Sequence, residues 1–133
     1  MSQENMEIPY RLAEITNRRD LEAYLALCDP EIEWTPFRAA VEGRAYRGHS
    51  EVGMSLKEVW RDWEDWQGDV ERVIDLGNDR VVVLGNFRAR GRESGAEVRA
   101  RYGQIWTFRA GKVLRVQTYA NPEKALEAAG LSE

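Results

Sequence analysis

The segment from residue 104 to residue 119 constrains the fold most, because two strand-like stretches flank a two-residue Ala110-Gly111 turn. A turn of this length that ends in Gly fixes the register of the flanking strands. The predicted pairs are Arg109 with Lys112, Phe108 with Val113, Trp106 with Arg115, Gln104 with Gln117 and Tyr102 with Tyr119. Large aromatic and neutral polar side chains would then share one face of a sheet, which is typical of a pocket wall.

Composition limits the classes of protein that the chain can belong to. Its 133 residues suffice for one hydrophobic core, so we expect a single domain over residues 1–133. A net charge of −4 argues against nucleic acid or an anionic membrane as the main partner. We expect a cytoplasmic protein, because the sequence shows neither a long apolar run nor the features of a signal peptide.

Residues that could bind a metal are scarce. Cys28 is the only cysteine, which excludes an intrachain disulfide and a thiolate metal cluster. His49 is the only histidine, so a zinc site would need carboxylates almost exclusively. We therefore expect no metal site and no cofactor.

The first third of the chain predicts two helices followed by a strand. The first helix has an apolar face made of Ile8, Leu12 and Ile15. Pro9 predicts that the regular part of this helix begins near it. Asp20 is predicted to cap the second helix, and Asp29-Pro30 to stop it before a half-buried strand over residues 31–37.

A third helix and a series of strands follow. Ser50 is predicted to cap this helix, whose apolar stripe consists of Val52, Leu56, Val59, Trp60 and Trp63. Turns at residues 77–79, at Ser94-Gly95 and at Ala110-Gly111 predict an antiparallel meander of four strands. Asn121 is predicted to cap a final helix. Helices first and a meander afterwards indicate an α+β domain.

Four segments carry a resemblance to a known family: residues 29–34, 46–49, 106–113 and 125–130. They resemble the SnoaL-like branch of the nuclear transport factor 2-like superfamily, which also contains ketosteroid isomerases, polyketide cyclases and small epoxide hydrolases. The resemblance implies a cone-shaped α+β domain, with N-terminal helices packed on a strongly curved, mainly antiparallel sheet that encloses a cavity. It also implies a homodimer formed through the outer sheet face.

The acid and base groups that the resemblance implies are missing. By position, the ketosteroid isomerase base falls at Thr35 and the polyketide cyclase aspartate falls at Asn121, and neither side chain can transfer a proton at neutral pH. The epoxide hydrolase pattern is also unmet, since Arg99 and Arg101 have no aspartate beside them. Of the remaining groups, His49 and Glu33 are the candidate bases.

Our first hypothesis is therefore a cavity that binds a small, largely apolar molecule without the usual catalytic carboxylates. The expected lining is Trp34, Trp63, Phe87, Tyr102, Gln104, Trp106, Gln117 and Tyr119. A two-residue Ser94-Gly95 turn would place Phe87 opposite Tyr102. The facing amides of Gln104 and Gln117 indicate either mutual pairing or a polar ligand group.

Two other functions stay open. One is an isomerase, cyclase or hydrolase acting on an apolar cyclic substrate, with His49 or Glu33 as base and Tyr102 or Tyr119 as donor to an oxyanion. The other is a non-catalytic association domain, whose outer sheet face carries Val82, Leu84, Ile105, Leu114 and Val116.

A cluster of arginines on the face opposite the predicted wall has two interpretations. Its members are Arg88, Arg90, Arg92, Arg99 and Arg101. Like charges on paired strands repel one another, so the cluster indicates either an anion site or a solvated rim paired with carboxylates, and we favour the rim. The acidic residues Asp62, Glu64, Asp65 and Asp69 are predicted to be solvated surface.

Overall fold

The structure is a computed structural model, and it describes residues 2–36 and 44–131. Its helices are α1 (Ser2–Asn17), α2 (Leu21–Ala26), α3 (Gly48–Asp62) and α4 (Pro122–Ala128). Its strands are β1 (Cys28–Thr35), β2 (Tyr46–Arg47), β3 (Gln67–Gly77), β4 (Arg80–Arg90), β5 (Glu97–Arg109) and β6 (Lys112–Tyr119). The predicted end of the first strand, residue 37, lies outside the described residues.

Within the described residues, six strands form one curved sheet in the order β2-β1-β6-β5-β4-β3. All neighbouring strands are antiparallel except β1 and β6, which are parallel. Helices α1 and α3 pack on one face, which we call the inner face, and α4 packs on the outer face. The predicted α+β class, with N-terminal helices on a curved, mainly antiparallel sheet, is confirmed. An enclosed cavity stays a prediction.

Helix α1 continues through Pro9, so the prediction that its regular part begins near this proline is wrong. A proline inside a helix costs about 3 kcal/mol, because it lacks an N–H donor and crowds the preceding turn. Pro9 itself and the apolar residues Ile8, Leu12 and Ile15 are buried in the structure. Burial of each such side chain contributes roughly 1.5–3 kcal/mol, which offsets the cost of the proline.

The first turns of α2 and α3 are capped in different ways. Asp20 accepts a hydrogen bond from the N–H of Ala23 at 3.1 Å, which confirms its predicted role as the cap of α2. Ser50 lies inside the first turn of α3 and is not its cap, contrary to prediction, because Arg47 occupies the capping position. The Glu51 carboxylate instead accepts a hydrogen bond from the N–H of Arg47 at 2.9 Å.

Two arginines bind the free carbonyl groups at the C-terminal end of α3. Arg19, which has a left-handed backbone with φ of 58°, donates to the carbonyl oxygens of Trp60, Trp63 and Glu64 at 3.1, 3.1 and 2.8 Å. Arg92 donates to those of Arg61 and Trp60 at 3.0 and 3.5 Å. Charge-assisted bonds of this kind satisfy the carbonyls that a helix end leaves unpaired. They fix α3 to the end of α1 and to the loop after β4.

An ion pair joins the start of β1 to the turn between β5 and β6. The buried carboxylate of Asp29 accepts two hydrogen bonds from Arg109, at 3.0 and 2.8 Å. These bonds hold the pKa of Asp29 below its usual range. Strand β1 begins at Cys28, which pairs with Val113 of β6, three residues before the predicted start at residue 31.

A bulge in β6 changes the register that the Ala110-Gly111 turn predicted. The first two pairs, Arg109 with Lys112 and Phe108 with Val113, form as predicted. Leu114 is then an extra residue, and the pairs beyond it are Thr107 with Arg115, Trp106 with Val116, Ile105 with Gln117, Gln104 with Thr118 and Gly103 with Tyr119. The predicted pairing is wrong from Trp106 inward, because one extra residue turns every later side chain of the strand to the other face.

The loop between β4 and β5 is longer than the predicted Ser94-Gly95 turn. Arg90 pairs with Glu97, so residues 91–96 form the connection. Phe87 consequently lies opposite Ala100, and not opposite Tyr102 as the shorter turn predicted. Both Phe87 and Tyr102 still belong to the inner face, because the shift is by two residues and preserves the alternation of side chains.

Helix α4 covers an apolar strip on the outer face. The buried residues of this strip are Val82, Leu84 and Ile105, and Leu126 of α4 packs against them. Gly103 allows the close approach, since a Cβ there would lie 2.6 Å from the Cβ of Ala125. Val116, which was predicted on this face, belongs to the main core on the inner face because of the bulge.

The Asp29–Arg109 pair predicts a specific dependence of stability on acid. A carboxyl group whose pKa is lower in the folded than in the unfolded state stabilises the fold above its unfolded pKa of about 4, and this contribution is lost as the pH falls through the folded pKa. Between pH 5 and pH 2.5, the melting temperature of Asp29→Asn should therefore fall less than that of the unchanged protein, as measured by circular dichroism.

Glu97→Gln is the matched control, because Glu97 also has a lowered pKa, caused mainly by its hydrogen bond from Arg99, but is exposed. Its acid profile should resemble that of the unchanged protein more closely than the Asp29→Asn profile does. Identical acid profiles for Asp29→Asn and the unchanged protein would contradict the role given to the buried pair.

Candidate functional site

The inner face of β4 and β5 combines apolar and neutral polar side chains. Four facing pairs point to this side: Val81 with Trp106, Val83 with Gln104, Gly85 with Tyr102, and Phe87 with Ala100. The first of these pairs is buried in the main core, and Ala100 at the other end is exposed. The predicted site residues Phe87, Tyr102, Gln104 and Trp106 therefore share one face, as the sequence indicated.

The amide of Gln104 is satisfied by neighbours on this face. It accepts a hydrogen bond from Nε1 of Trp106 at 2.8 Å, and its own Nε2 donates to Oγ1 of Thr118 at 3.0 Å. Thr118 occupies the position opposite Gln104 that was predicted for Gln117. Neither predicted alternative, pairing of two amides or an unpartnered amide awaiting a ligand, describes the arrangement found.

Gln117 and Tyr119 do not share the inner face with the other predicted wall residues. Gln117 lies opposite Ile105, and Tyr119 packs against the apolar strip on the outer face. Their predicted placement is wrong for one reason, which is the extra residue Leu114. A bulge leaves no clear signal in a segment of alternating apolar and polar residues, so the sequence did not reveal it.

Tyr102 lies opposite Gly85 of the neighbouring strand, a position that has no side chain. A Cβ on Gly85 would come within 2.4 Å of the Tyr102 hydroxyl and 2.5 Å of the carbonyl oxygen of Asp69. Burial raises the pKa of Tyr102 to about 12, and the charges of Asp69 and Glu71 contribute. The phenol therefore stays neutral near pH 7. Its hydroxyl bonds no residue in the described part of the chain.

Tyr24 is a second buried phenol, and it is not among the predicted site residues. Burial raises its pKa, with smaller contributions from Cys28 and Tyr102, which indicates that these groups lie near one another. Burial also raises the pKa of the Cys28 thiol to about 12, and its Sγ contacts the carbonyl oxygen of Tyr24 at 3.4 Å. A thiol of this kind is not a nucleophile at neutral pH. The apolar face of α2 was the only sequence signal for Tyr24.

Aromatic pairs flank the inner face at both ends of the sheet. Trp34 of β1 packs against Tyr46, with ring centroids 6.1 Å apart. Phe87 is stacked on Trp66, also at 6.1 Å and with an angle of 13° between the ring planes. Gly68 leaves room for the second pair, since a Cβ there would lie 2.9 Å from the Trp66 ring. Tyr46 and Trp66 are therefore aromatic neighbours that the predicted lining omitted.

Two tryptophans near the end of α3 have different surroundings. Trp63 lies beyond the helix and forms a β-bridge with Gly91, and it is not among the described side chains that pack on the main core. Its predicted place within the helical stripe is wrong, because α3 ends at Asp62. Trp60 does pack on the main core, and its Nε1 is buried with no hydrogen-bond partner among the described residues.

Glu33 lies on the outer face in an ion-pair group. Its carboxylate contacts Nε of Arg47 at 3.5 Å and Nε of Arg115 at 3.8 Å. Its strand partners are the same two arginines. A carboxylate between two cations, on the face away from the predicted wall, is poorly placed to act as a base inside the cone.

The other acid–base positions also have structural contacts. Nε2 of His49 lies 2.9 Å from the carbonyl oxygen of Cys28, so this nitrogen carries a proton and donates it there. Asn121 is the N-cap of α4, as predicted, and accepts a hydrogen bond from the N–H of Lys124 at 2.9 Å. Thr35 pairs with Gln117 and so belongs to the outer face.

The predicted arginine cluster is divided by the structure. Arg88, Arg90, Arg99 and Arg101 share the outer face of β4 and β5. Three of them meet carboxylates: Arg99 and Arg90 contact Glu97 at 2.7 and 3.9 Å, and Arg101 contacts Glu71 at 3.1 Å. Arg92 is separate and binds the end of α3. These contacts support the solvated rim over the anion site.

A surface concavity lies beside this rim. It has a volume of about 330 Å³ and is lined by Asp65, Gln67, Arg88, Ala89, Arg90 and Glu97. Four charged side chains of both signs and wide opening to solvent are not typical of a pocket for an apolar ligand. The described residues contain no group of three or more His, Cys, Asp or Glu side chains that could hold a metal ion. None of the described helices is both long and apolar enough to cross a membrane.

Comparison with known proteins identifies a family. The family model of the SnoaL-like domain matches residues 10–116. No curated protein matches the sequence.

Several solved structures share the fold. An NTF2-like protein of unknown function from Burkholderia pseudomallei is 24% identical, with 93% of this chain and 95% of that chain covered and a TM-score of 0.76. TerC co-crystallised with polyporic acid is 23% identical, with coverages of 96% and 98% and a TM-score of 0.75. A hypothetical protein with a ketosteroid isomerase-like fold from Catenulispora acidiphila, in complex with trimethylamine, is 13% identical, with coverages of 94% and 93% and a TM-score of 0.76.

The position of Tyr102 can be tested through Gly85. A side chain at this position would collide with both the phenol and the backbone of β3, so Gly85→Ala should lower the free energy of unfolding by roughly 2 kcal/mol in urea denaturation. Gly53→Ala is the control, since its added Cβ would meet only Leu25 and Leu21, at 3.7 and 3.8 Å. Equal stability of Gly85→Ala and the unchanged protein would show that Tyr102 is not confined as described.

Proposed function

This chain belongs to the SnoaL-like domain family, and on that premise we propose that it binds a small, largely apolar molecule without catalysing a reaction. The binding surface is the inner face, between the sheet and the N-terminal helices. The observation that carries this proposal is the chemistry of the free polar groups there. The hydroxyl of Tyr102 and the indole N–H of Trp60 are neutral and bond no described residue, and both side chains pack against the main core.

The aromatic side chains supply the apolar contacts in this proposal. Trp34 with Tyr46 and Phe87 with Trp66 present ring faces at the two ends of the inner face. Aromatic rings bind flat apolar molecules with a large contact area and little loss of side-chain freedom. TerC was co-crystallised with polyporic acid, which is therefore a first compound to test on this chain.

The contacts of the candidate acids and bases favour binding over catalysis. Glu33 is held on the outer face by two arginines, and Nε2 of His49 donates to a carbonyl oxygen, which leaves Nδ1 as the only nitrogen of this ring that could accept a proton. Asn121 and Thr35, at the positions of the family's proton-transfer groups, have neutral side chains. A general acid or base needs a free, titratable atom within about 3 Å of the reacting group.

Binding can be tested with two matched tyrosine variants. We expect native mass spectrometry to detect a small molecule retained by the purified protein or an adduct after incubation with polyporic acid or 1-tetralone. Tyr102→Phe should weaken tetralone binding by roughly fivefold to tenfold, because it removes one hydrogen bond. Tyr10→Phe removes a phenol hydroxyl from the exposed side of α1 and should change nothing. The proposal would be contradicted if the purified protein retained no small molecule and formed no adduct with polyporic acid or with 1-tetralone.

The same compounds distinguish the enzymatic alternative. A binding protein should return 1-tetralone chemically unchanged, as judged by chromatography and mass spectrometry. Conversion that is lost in His49→Gln or Glu33→Gln would instead support an isomerase, cyclase or hydrolase and would overturn the non-catalytic proposal.

We also propose a homodimer formed through the part of the outer face that α4 leaves uncovered. The apolar strip of Val82, Leu84 and Ile105 is already buried within one chain, so this contact would be mainly polar. Glu33, Thr35, Arg115 and Gln117 form its centre. The native mass spectrum shows the assembly directly, and a spectrum with monomer alone at micromolar concentration would contradict the dimer. The free, buried Cys28 suits the cytoplasm, which we propose as the compartment.

A further inference from the structure

The indole of Trp60 has an unmet need for a hydrogen-bond acceptor. An indole nitrogen can only donate, and a buried donor without an acceptor costs free energy. Nε1 of Trp60 is buried and has no partner among the described residues, although the side chain packs on the main core. Trp106 on the facing sheet differs, since its Nε1 donates to Gln104 at 2.8 Å. Among the residues that the structure describes, one core indole has an acceptor and the other has none.

The acceptors nearest to Trp60 along the chain are already used. Each carbonyl oxygen from Val59 to Glu64 accepts at least one hydrogen bond. The donors are the backbone N–H groups of Trp63 and Arg92 and the guanidinium groups of Arg19 and Arg92. Four of these oxygens, those of Trp60, Arg61, Trp63 and Glu64, are bound by charged guanidinium donors, and Nε1 of Trp60 bonds none of the six.

We infer that the molecule bound at the inner face carries a neutral hydrogen-bond acceptor, a carbonyl or ether oxygen, that binds Nε1 of Trp60. This inference rests on the proposed function and narrows its ligand class. A neutral acceptor fits better than an anion, because burial penalises a charge and the free groups of the inner face are themselves neutral. The phenol of Tyr102 is a second neutral donor on the same face.

The test compares a bicyclic ketone, 1-tetralone, with tetralin, which has the same two rings and no oxygen. Trp60→Phe removes the N–H and keeps an aromatic ring. We expect the unchanged protein to bind the ketone roughly tenfold more tightly than the hydrocarbon, and Trp60→Phe to lose most of this preference, as measured by isothermal titration calorimetry. The affinity for tetralin should change less than about twofold. Met54→Ala, on the exposed side of the same helix, should behave like the unchanged protein.

A second measurement uses the unchanged protein alone. With 15N-labelled tryptophan, the indole signal of Trp60 should move on addition of tetralone and stay in place on addition of tetralin, and Trp60→Phe assigns that signal by its disappearance. This arm remains informative if Trp60→Phe does not fold.

The possible results distinguish a failure of the role given to Trp60 from a failure of the proposed binding function. Binding of neither probe would overturn the proposed function. Binding of both probes with equal affinity, and an indole signal that does not respond to the ketone, would leave the binding function intact and overturn the role of Trp60. The latter result would mean that an ordered water satisfies the indole in the folded protein.

Discussion

The extra residue Leu114 in β6 determines which side chains this sheet presents on each face. Before the bulge, the hairpin follows the register that its two-residue turn sets. Beyond it, Val116 and Thr118 point to the inner face, and Gln117 and Tyr119 point outward. Thr118 thereby meets Gln104, and the amide is satisfied within the protein. Without the bulge, two amides and a second phenol would lie on the inner face, and the site would be considerably more polar.

The parts of the fold that follow from local chemistry were predictable from the sequence. Capping by Asp20 and Asn121 and the first two pairs beside Ala110-Gly111 depend on neighbours within a few residues, and each is found. The errors share a different origin. The continuation of α1 through Pro9, the early start of β1 at Cys28 and the bulge at Leu114 each depend on packing or ion pairs with distant segments. Contacts between segments that are far apart in the sequence cannot be predicted from the spacing of residues within one segment.

The candidate site divides in the same way. Phe87, Tyr102, Gln104 and Trp106 share one face of the sheet, as predicted, because a shift of the strand register by two residues leaves each side chain on the same face. Gln117 and Tyr119 were predicted on the wrong face, because their orientation depends on how β6 pairs with β5. The two faces also differ in chemistry. On the outer face, arginines and carboxylates neutralise one another near solvent, whereas the inner face combines apolar rings with neutral donors.

The end of α3 explains how a buried donor without a partner can persist. Arg19 and Arg92 donate hydrogen bonds to the last three carbonyl oxygens of the helix. They also bind the carbonyl oxygens of Trp63 and Glu64, and these bonds together stabilise the position of α3. Those bonds offset the cost of one unpaired indole, which is about 1–3 kcal/mol. The arrangement fixes Trp60 before any ligand arrives, so an acceptor that reaches Nε1 relieves an existing penalty and need not order a mobile side chain. Preorganisation of this kind gives a single hydrogen bond more influence on selectivity than the same bond would have at an exposed, flexible position.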